Sequence, residues 1–518
     1  MSFEILFVLL TLVGMVAALI WDKMRPGMVL LTVVVLFLTV GVLTPKEMLE
    51  GFSNKGMITV AMLFLVSEGI RQSGALGQLI KKLLPEGKTT VLKAQFRMLP
   101  PIAFISAFLN NTPVVVIFAP IIKRWAESVK LPATKFLIPL SYVTILGGIC
   151  TLIGTSTNLV VHGMILDAGY EGFSMFELGK VGGVIAIVGI IYLFVFSNRL
   201  LPDSREDRIN NEDSEEEKQG NFHRVEAVLG ARFPGINKTL GQFNFTRHYG
   251  AIVKEVKSGG QSFTRNLETV TLHEGDTLVL WADDSFIPTW GESSVFLMLA
   301  NGKEGSEPVS RKKRWLALGL LIFMIIGATV GELPVVKEAV PDLKLDMFFF
   351  VSITTVIMAW TKIFPPKKYT KYISWDILIT IACAFAISKA MENSGFAPMI
   401  ATKIIGMADS LGPYALLAIL FIITNIFTEL VTNNAAAALS FPIALSVATQ
   451  LGVNPTPFFV VICMAASASF TTPIGYQTNL IVQGVGGYKF TDFVRIGLPL
   501  NIISFLISVF VIPMIWEF

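Results

Sequence analysis

Apolar residues in this chain gather into long, nearly unbroken runs separated by short polar loops. About 20 apolar residues span a bilayer as a helix. Runs of roughly that length fall at about 3–20, 28–43, 56–70, 134–165, 180–200, 315–331, 345–361, 374–392, 455–484 and 493–516. Two further apolar stretches, 95–124 and 412–450, are interrupted near the middle by Asn110-Asn111-Thr112-Pro113 and by Thr432-Asn433-Asn434. Polar backbone cannot face lipid, so such interruptions must be buried in protein or line a wet cavity. Each is expected to form a re-entrant hairpin of two half-helices. The fold class that follows is an all-α polytopic membrane protein, with spans and hairpins as its elements.

The pattern repeats. Ile153-Gly154-Thr155-Ser156-Thr157-Asn158-Leu159 aligns with Ile474-Gly475-Tyr476-Gln477-Thr478-Asn479-Leu480 at a shift of 321 residues. The same shift pairs Ser67 with Ser388 and Ser73-Gly74 with Ser394-Gly395, and the hairpin tips align at 322, as do Pro120 and Pro442. Each half then holds five spans and one hairpin. Five is odd, so the halves cross the membrane in opposite senses. Inverted repeats with interrupted helices mark secondary transporters whose site lies between the repeats.

Charge sets the expected orientation. Lys23, Arg25, Lys81, Lys82, Lys88, Lys93, Arg97, Lys123, Arg124, Lys130, Lys135, Lys362, Lys367, Lys368 and Lys371 fall in alternate loops. Those loops are cytoplasmic by the positive-inside rule if both termini lie outside. Asp167, Glu171, Glu332, Glu338 and Asp342 then lie outside. Bulk composition agrees with a lipid solvent. Hydrophobic residues make up 53% and charged residues 15% of the 518, against roughly 25% charged in a soluble domain. Mean hydropathy is +0.65. The net charge of +3 gives no reason to expect nucleic acid. Cys150, Cys383 and Cys463 sit inside apolar runs and read as packing residues. The first apolar run lacks a small-residue cleavage site and reads as a retained helix.

Between the halves the pattern changes. Residues 203–218 are acid-rich, with Glu215, Glu216 and Glu217 in a row, and are expected to be a solvated tether. Domain boundaries follow: membrane repeat 1 over 1–202, tether and soluble insert over 203–312, membrane repeat 2 over 313–518. From about 221 to 299, short apolar runs alternate with turns, as a small α+β domain would. Its strings Pro234-Gly235-Ile236-Asn237-Lys238-Thr239-Leu240, Tyr249-Gly250-Ala251 and Glu274-Gly275-Asp276-Thr277-Leu278 resemble the TrkA C-terminal domain of potassium-uptake regulators. That resemblance implies a regulatory or oligomeric module, with a small-molecule regulator or no ligand at all. No G-x-G-x-x-G fingerprint accompanies it, so NAD is not expected. Arg311-Lys312-Lys313-Arg314 marks the return to the membrane.

The four interruptions carry Asn, Thr, Ser and Gly and no charge. Amide and backbone carbonyls can replace the water around Na+. Hydroxyls, N–H groups and the positive ends of half-helices beginning near Pro113 and just after Asn434 can hold an oxyanion. Gly154 and Gly475 permit unwound backbone. Small polar residues also glue helices together, but four such clusters at equivalent places point to a site. Among acids near the spans (Glu68, Asp376, Glu392, Glu429), Glu429 alone neighbours a tip. His162 pairs with Gln483 across the repeat, which argues against a metal or proton-shuttle role.

These motifs resemble the divalent anion–sodium symporter family, over both membrane halves. The family carries Ser-Asn-Thr at both tips; here the tips are Asn110-Asn111-Thr112 and Thr432-Asn433-Asn434, with the central asparagines matching. The resemblance implies a first sodium site at Ser106, Asn110, Asn111 and the Gly154 backbone. It implies a second at Thr428, Thr432, Asn433 and the Gly475 backbone. Substrate would meet both tips, including Thr112 and Asn434, together with Thr155, Ser156, Tyr476 and Gln477. Carboxylate-transporting members usually carry Pro-Pro-Asn after the unwound glycine. Thr155-Ser156-Thr157-Asn158 and Tyr476-Gln477-Thr478-Asn479 look more like the sulfate-permease branch.

The function expected is sodium-coupled import of a small divalent oxyanion, sulfate first, by a rocking or elevator-like bundle on a homodimeric scaffold in the cell membrane. Na+ is co-transported, and no organic cofactor is expected. A dicarboxylate or sulfonate symporter of the same architecture is the nearest rival. More distant rivals are a potassium channel or a cation transporter governed by the insert, and an anion sensor that transports little. Against a channel, no Thr-Val-Gly-Tyr-Gly filter is present. No nucleophile–base set suggests an enzyme.

Overall fold

The computed structural model describes all residues except 1–2, 22–23, 86, 204–221, 231, 284–285, 291–294, 302–310, 340–342 and 409–411. The expected acidic tether therefore lies almost wholly outside the described residues. Apart from a small sheet between the halves, the protein is helical. Among the described residues, seven helices are long and apolar enough to cross a membrane, or eight if the bent pair Pro366–Tyr372 and Trp375–Asn393 forms one span. Other expected spans are carried by shorter apolar helices such as Pro26–Val40 and Met347–Trp360.

Two of the apolar spans are broken around Gly154 and Gly475, where unwound backbone is expected. The run at 134–165 folds as Thr134–Gly148 and Ser156–Asp167, and that at 455–484 as Thr456–Ser467 and Gln477–Gly486. The first interrupted stretch forms Val91–Ser106 and Asn111–Ser128, the second Pro413–Leu430 and Asn433–Leu451. The second member of each pair thus begins on the central asparagine, slightly before the expected start at Pro113 or after Asn434. Pro113 sits in the first turn, where a missing N–H breaks no helical bond.

The halves pack reciprocally. Pro26–Val40 of the first half lies against Trp375–Asn393 of the second, and Lys55–Gln72 against Met347–Trp360, which are the equivalent partners with roles exchanged. Gly179–Leu200 packs on its own counterpart, Phe490–Ile515. Even the ion pairs follow this pseudo-twofold relation. Lys55 bonds Asp346, while at the equivalent positions Asp376 accepts the Gly27 N–H at 3.3 Å and faces the charge of Arg25. Cation and acid have swapped ends of the pair, and the attraction is kept.

The insert holds a five-stranded antiparallel sheet, β1 (Phe222–Leu229), β2 (Ile252–Ser258), β3 (Gln261–Phe263), β4 (Thr277–Asp283) and β5 (Phe296–Asn301), in the order β3-β2-β4-β1-β5. Phe233, Phe243, Phe245 and Tyr249 cover one face over Ala227, Val256, Leu278 and Leu280. It does not float free of the membrane halves. The Lys123 ammonium, near the end of Asn111–Ser128, lies 3.1 Å from a Glu226 carboxylate oxygen on β1. Gly484, near the end of Gln477–Gly486, packs so tightly on the turn before β4 that an added Cβ would sit 2.8 Å from the Thr277 hydroxyl.

Candidate ion and anion site

The two tips and the two unwound segments come together. A helix amino end leaves N–H groups without intrahelical partners and carries partial positive charge. Four such ends meet here, those of Asn111–Ser128, Ser156–Asp167, Asn433–Leu451 and Gln477–Gly486, and hydrogen bonds join them crosswise. Asn111 donates through Nδ2 to the Tyr476 hydroxyl at 2.6 Å, and the Thr155 hydroxyl lies 3.2 Å from that same oxygen. Thr112 Oγ1 donates to Gln477 Oε1 at 3.3 Å. At the equivalent positions, Ser156 and Thr157 hydroxyls both donate to Asn434 Oδ1 at 3.2 Å. Each tip therefore contacts the unwound helix of the opposite repeat, and no charged side chain takes part in these bonds.

Beneath each tip lies a nest of oxygens. In the first repeat, Ser106 Oγ donates to Asn111 Oδ1 at 2.7 Å. Gly148 faces the same group. A Cβ built on Gly148 would lie 2.7 Å from Asn111 Oδ1 and 3.1 Å from the Gly154 carbonyl oxygen. That cradle is lined by an amide oxygen, a hydroxyl and a main-chain carbonyl, the donors a hard cation prefers. In the second repeat, Thr428 Oγ1 donates to Asn433 Oδ1 at 2.8 Å. Ser469 stands in the place of Gly148, and its hydroxyl packs against Gly475, beside the Thr428 carbonyl, which would be 2.6 Å from a Gly475 Cβ. The chemistry of both donor sets suits Na+. Gly154 and Gly475 are needed for space rather than for a left-handed backbone. Neither has a positive φ, and a Cβ on Gly154 would sit 2.5 Å from the Gly148 carbonyl.

Further residues extend the repeat. Thr151 Oγ1 accepts the Gly154 N–H at 3.1 Å, and Thr472 Oγ1, 321 residues on, accepts that of Gly475 at 3.2 Å. Asn158 donates to the Thr151 carbonyl at 2.9 Å and Asn479 to that of Thr472 at 3.1 Å. These bonds replace the lost helical ladder of the breaks, as buried backbone requires. Gly148, Thr151, Ser469 and Thr472 line or brace the candidate site and were not marked by the sequence motifs, although the same offset would have found them. The remaining expected residues lie at the tips. Thr432 caps its helix by accepting the Ala435 N–H at 3.4 Å, and Asn110 occupies the cap position of Asn111–Ser128 without a side-chain cap bond.

Comparison with known proteins agrees with this architecture. A family model described as "Citrate transporter" matches residues 16–352 and 343–517. The chain is 31% identical to an "Uncharacterized transporter" of Synechocystis sp., over 93% of this chain and 92% of that protein. It is 23% identical to "Probable sodium/sulfate cotransporter 3" of Chlamydomonas reinhardtii, over 91% of this chain and 84% of that one. It is 29% identical to "Sodium/sulfate cotransporter 2" of the same alga, over 56% of this chain and 32% of the alga's protein.

Proposed function

This chain belongs to the citrate transporter family, is a membrane transporter rather than an enzyme, and from that premise we propose that it imports a small divalent oxyanion, sulfate first, together with Na+. The observation that carries the proposal is the twofold set of uncharged oxygen nests under four converging helix amino ends. The nests supply oxygens for cations, through Ser106, Asn111 and Gly154 on one side and Thr428, Asn433 and Gly475 on the other. The helix ends and the hydroxyls of Thr112, Thr155, Ser156 and Tyr476 supply donors for an anion. Neither part is strong alone, since among the described residues the contacts at the site come from uncharged groups. Bound Na+ supplies the positive charge, which couples the two fluxes.

In this reading Asn110, Thr432, Asn434 and Gln477 complete the anion's ring of contacts. The amide and hydroxyl bonds that now run between the tips and the unwound helices are exchanged for bonds to the anion. The bundle carrying the tips and broken helices moves against the helices packed at the pseudo-twofold, which would form a dimer scaffold. In this reading the insert is cytoplasmic and both termini lie outside, which the positive-inside rule supports. Relatives named as sodium/sulfate cotransporters support sulfate and sodium.

A carboxylate is the second reading, favoured by the description of the matching family. Uptake of labelled sulfate into liposomes, with and without a sodium gradient, and competition by citrate, succinate and a sulfonate separate the two. Sodium-driven sulfate uptake that succinate and citrate leave untouched is expected. Sodium-driven citrate uptake without sulfate uptake would move the assignment to a carboxylate. Asn111→Ala and Asn433→Ala are each expected to abolish sodium-dependent uptake without unfolding the protein.

A further inference from the structure

The repeats are not equivalent at their breaks. In the first half the helix before the break runs to Gly148, leaving 149–155 unwound; in the second it stops at Ser467, leaving 468–476. At the shift of 321, the second helix ends two residues early. The first repeat keeps a last turn, in which the Cys150 N–H donates to the Gly147 carbonyl at 3.0 Å. The equivalent N–H, that of Thr471, has no such turn to close. It donates instead to Glu429 Oε1 at 2.8 Å, and the next N–H, of Thr472, donates to Glu429 Oε2 at 2.9 Å. Asn501, from Phe490–Ile515, steadies the carboxylate by donating to Oε1 at 2.8 Å, and it also donates to Thr471 Oγ1 at 2.7 Å. The first repeat has Ala107 where the second has Glu429.

We propose that Glu429 is the positioning residue of the second cation site: its carboxylate holds the unwound backbone through Thr471 and Thr472 so that Gly475 faces Thr428 and Asn433, and its charge makes that site bind Na+ more tightly than the first. The assignment rests on taking Thr428, Asn433 and Gly475 as a cation site. The mechanical chain is short. The carboxylate fixes Thr471 and Thr472, the Thr472 hydroxyl accepts the Gly475 N–H at 3.2 Å, and that hydroxyl also donates to the Glu429 carbonyl at 3.3 Å. The electrostatic chain is shorter still, because Glu429 follows Thr428 directly. An ionised carboxylate at membrane depth needs partners and marks functional places. Here three N–H groups satisfy it, and none of them is a formal cation, so its negative charge remains available to an arriving Na+. Glu429 thus acts on the ion through the backbone it arranges and through its field, without being a ligand.

The test compares wild type with Glu429→Gln and Glu429→Ala, each checked for a single symmetric peak in size-exclusion chromatography. Two readouts are taken: the sodium dependence of uptake into liposomes, and amide hydrogen exchange of the peptide spanning 468–476. Glu429→Gln removes the charge and keeps one of the two acceptor oxygens. It is expected to raise the half-saturating sodium concentration about tenfold, with the maximal rate at saturating sodium close to wild type and the exchange of 468–476 between those of wild type and Glu429→Ala. Glu429→Ala is expected to raise the half-saturating concentration further, to pull the Hill coefficient for sodium toward one, and to speed exchange in 468–476 while leaving 149–155 unchanged. Sodium saturation curves of both variants within twofold of wild type would overturn the electrostatic claim. Unchanged exchange in Glu429→Ala would overturn the positioning claim. If wild type itself shows no sodium dependence, the cation reading fails, and the exchange measurement still decides whether Glu429 holds the segment.

Discussion

The Asn111 side-chain amide donates to the Tyr476 hydroxyl at 2.6 Å, although the two residues lie 365 positions apart and in different repeats. The first tip is thereby held against the second unwound helix through one phenolic oxygen, which also lies 3.2 Å from the Thr155 hydroxyl. The second tip has a different arrangement, two hydroxyls converging on Asn434 Oδ1. The crossed bonds are alike in topology and unlike in chemistry, so an anion bound at the candidate site would meet an asymmetric lining.

Tyr476→Phe tests that oxygen. The ring keeps its packing, while the bound anion loses one hydroxyl donor. A hydrogen bond to a charged group contributes about 1.5–3 kcal/mol. Half-saturating sulfate is expected to rise between about tenfold and a hundredfold, by the factor of ten per 1.4 kcal/mol. Labelled-sulfate uptake at saturating sodium measures it, and an unchanged value would remove Tyr476 from the site.

Gly148→Ala tests the first cation cradle. The added Cβ would lie 2.7 Å from Asn111 Oδ1, inside the space that a ligated ion needs. Loss of sodium-dependent uptake is expected, with sulfate still protecting the second repeat's break in hydrogen exchange at high concentration. The counterpart Ser469→Ala, which removes an oxygen instead of filling a space, is expected to weaken sodium affinity about tenfold or less, in keeping with one lost contact of about 1 kcal/mol. Equal effects of the two substitutions would count against the cradle geometry.

Much of this was legible in the sequence because the signals are periodic. Apolar runs fix helices, and a shift of 321 exposes the repeat. Asn111 and Asn433 stood out because amides are costly in lipid unless used. Other features were hidden because they depend on approach between distant segments. Nothing local in Gly154 shows that its hydrogen must face the Gly148 carbonyl; the requirement exists only once the break has folded back. Glu429 drew attention as an acid near a tip, but its partners, the Thr471 and Thr472 N–H groups, are 42 and 43 residues away. The docking of the insert was equally silent, since Gly484 looks like an ordinary helix-packing glycine until the β4 turn is placed on it.

The Lys123–Glu226 pair predicts a pH dependence of docking. Burial alone would push the Glu226 carboxyl up, but the Lys123 ammonium, with Lys257 and Arg224 nearby, outweighs burial and holds it below its ordinary value of 4.5. A carboxyl lowered in the folded state stabilises that state fully above its unfolded value. The contribution is lost as pH falls through the lowered one. Docking is therefore expected to be constant from neutral pH down to about 5 and to weaken only below the usual carboxylate range. Glu226→Gln should remove this acid limb. Hydrogen exchange of β1 in the full-length protein across pH, corrected for intrinsic rates, reads both.

The last prediction concerns what that docking does to transport. The helix Gln477–Gly486 has its amino end, at Tyr476 and Gln477, in the candidate site and its carboxyl end, at Gly484, under the insert. At a rise of 1.5 Å per residue its ten residues span about 15 Å. A stiff rod of that length passes a displacement at one end to the other. Asn111–Ser128 does the same, with Asn111 at the site and Lys123 on Glu226. The insert thus touches two of the four elements that carry the crossed bonds, one from each repeat. Gly484→Val places branched carbons where the Thr277 hydroxyl and the β4 turn now lie, and backbone cannot yield as a flexible side chain can. The insert must lift or the helix must shift. Faster exchange in β4 is expected together with an altered half-saturating sulfate, by about threefold or more. Lys123→Met, which frees the other contact without crowding the helix, should release β1 alone. If Gly484→Val loosens β4 and leaves uptake unchanged, the insert rides on the transport helices without governing them.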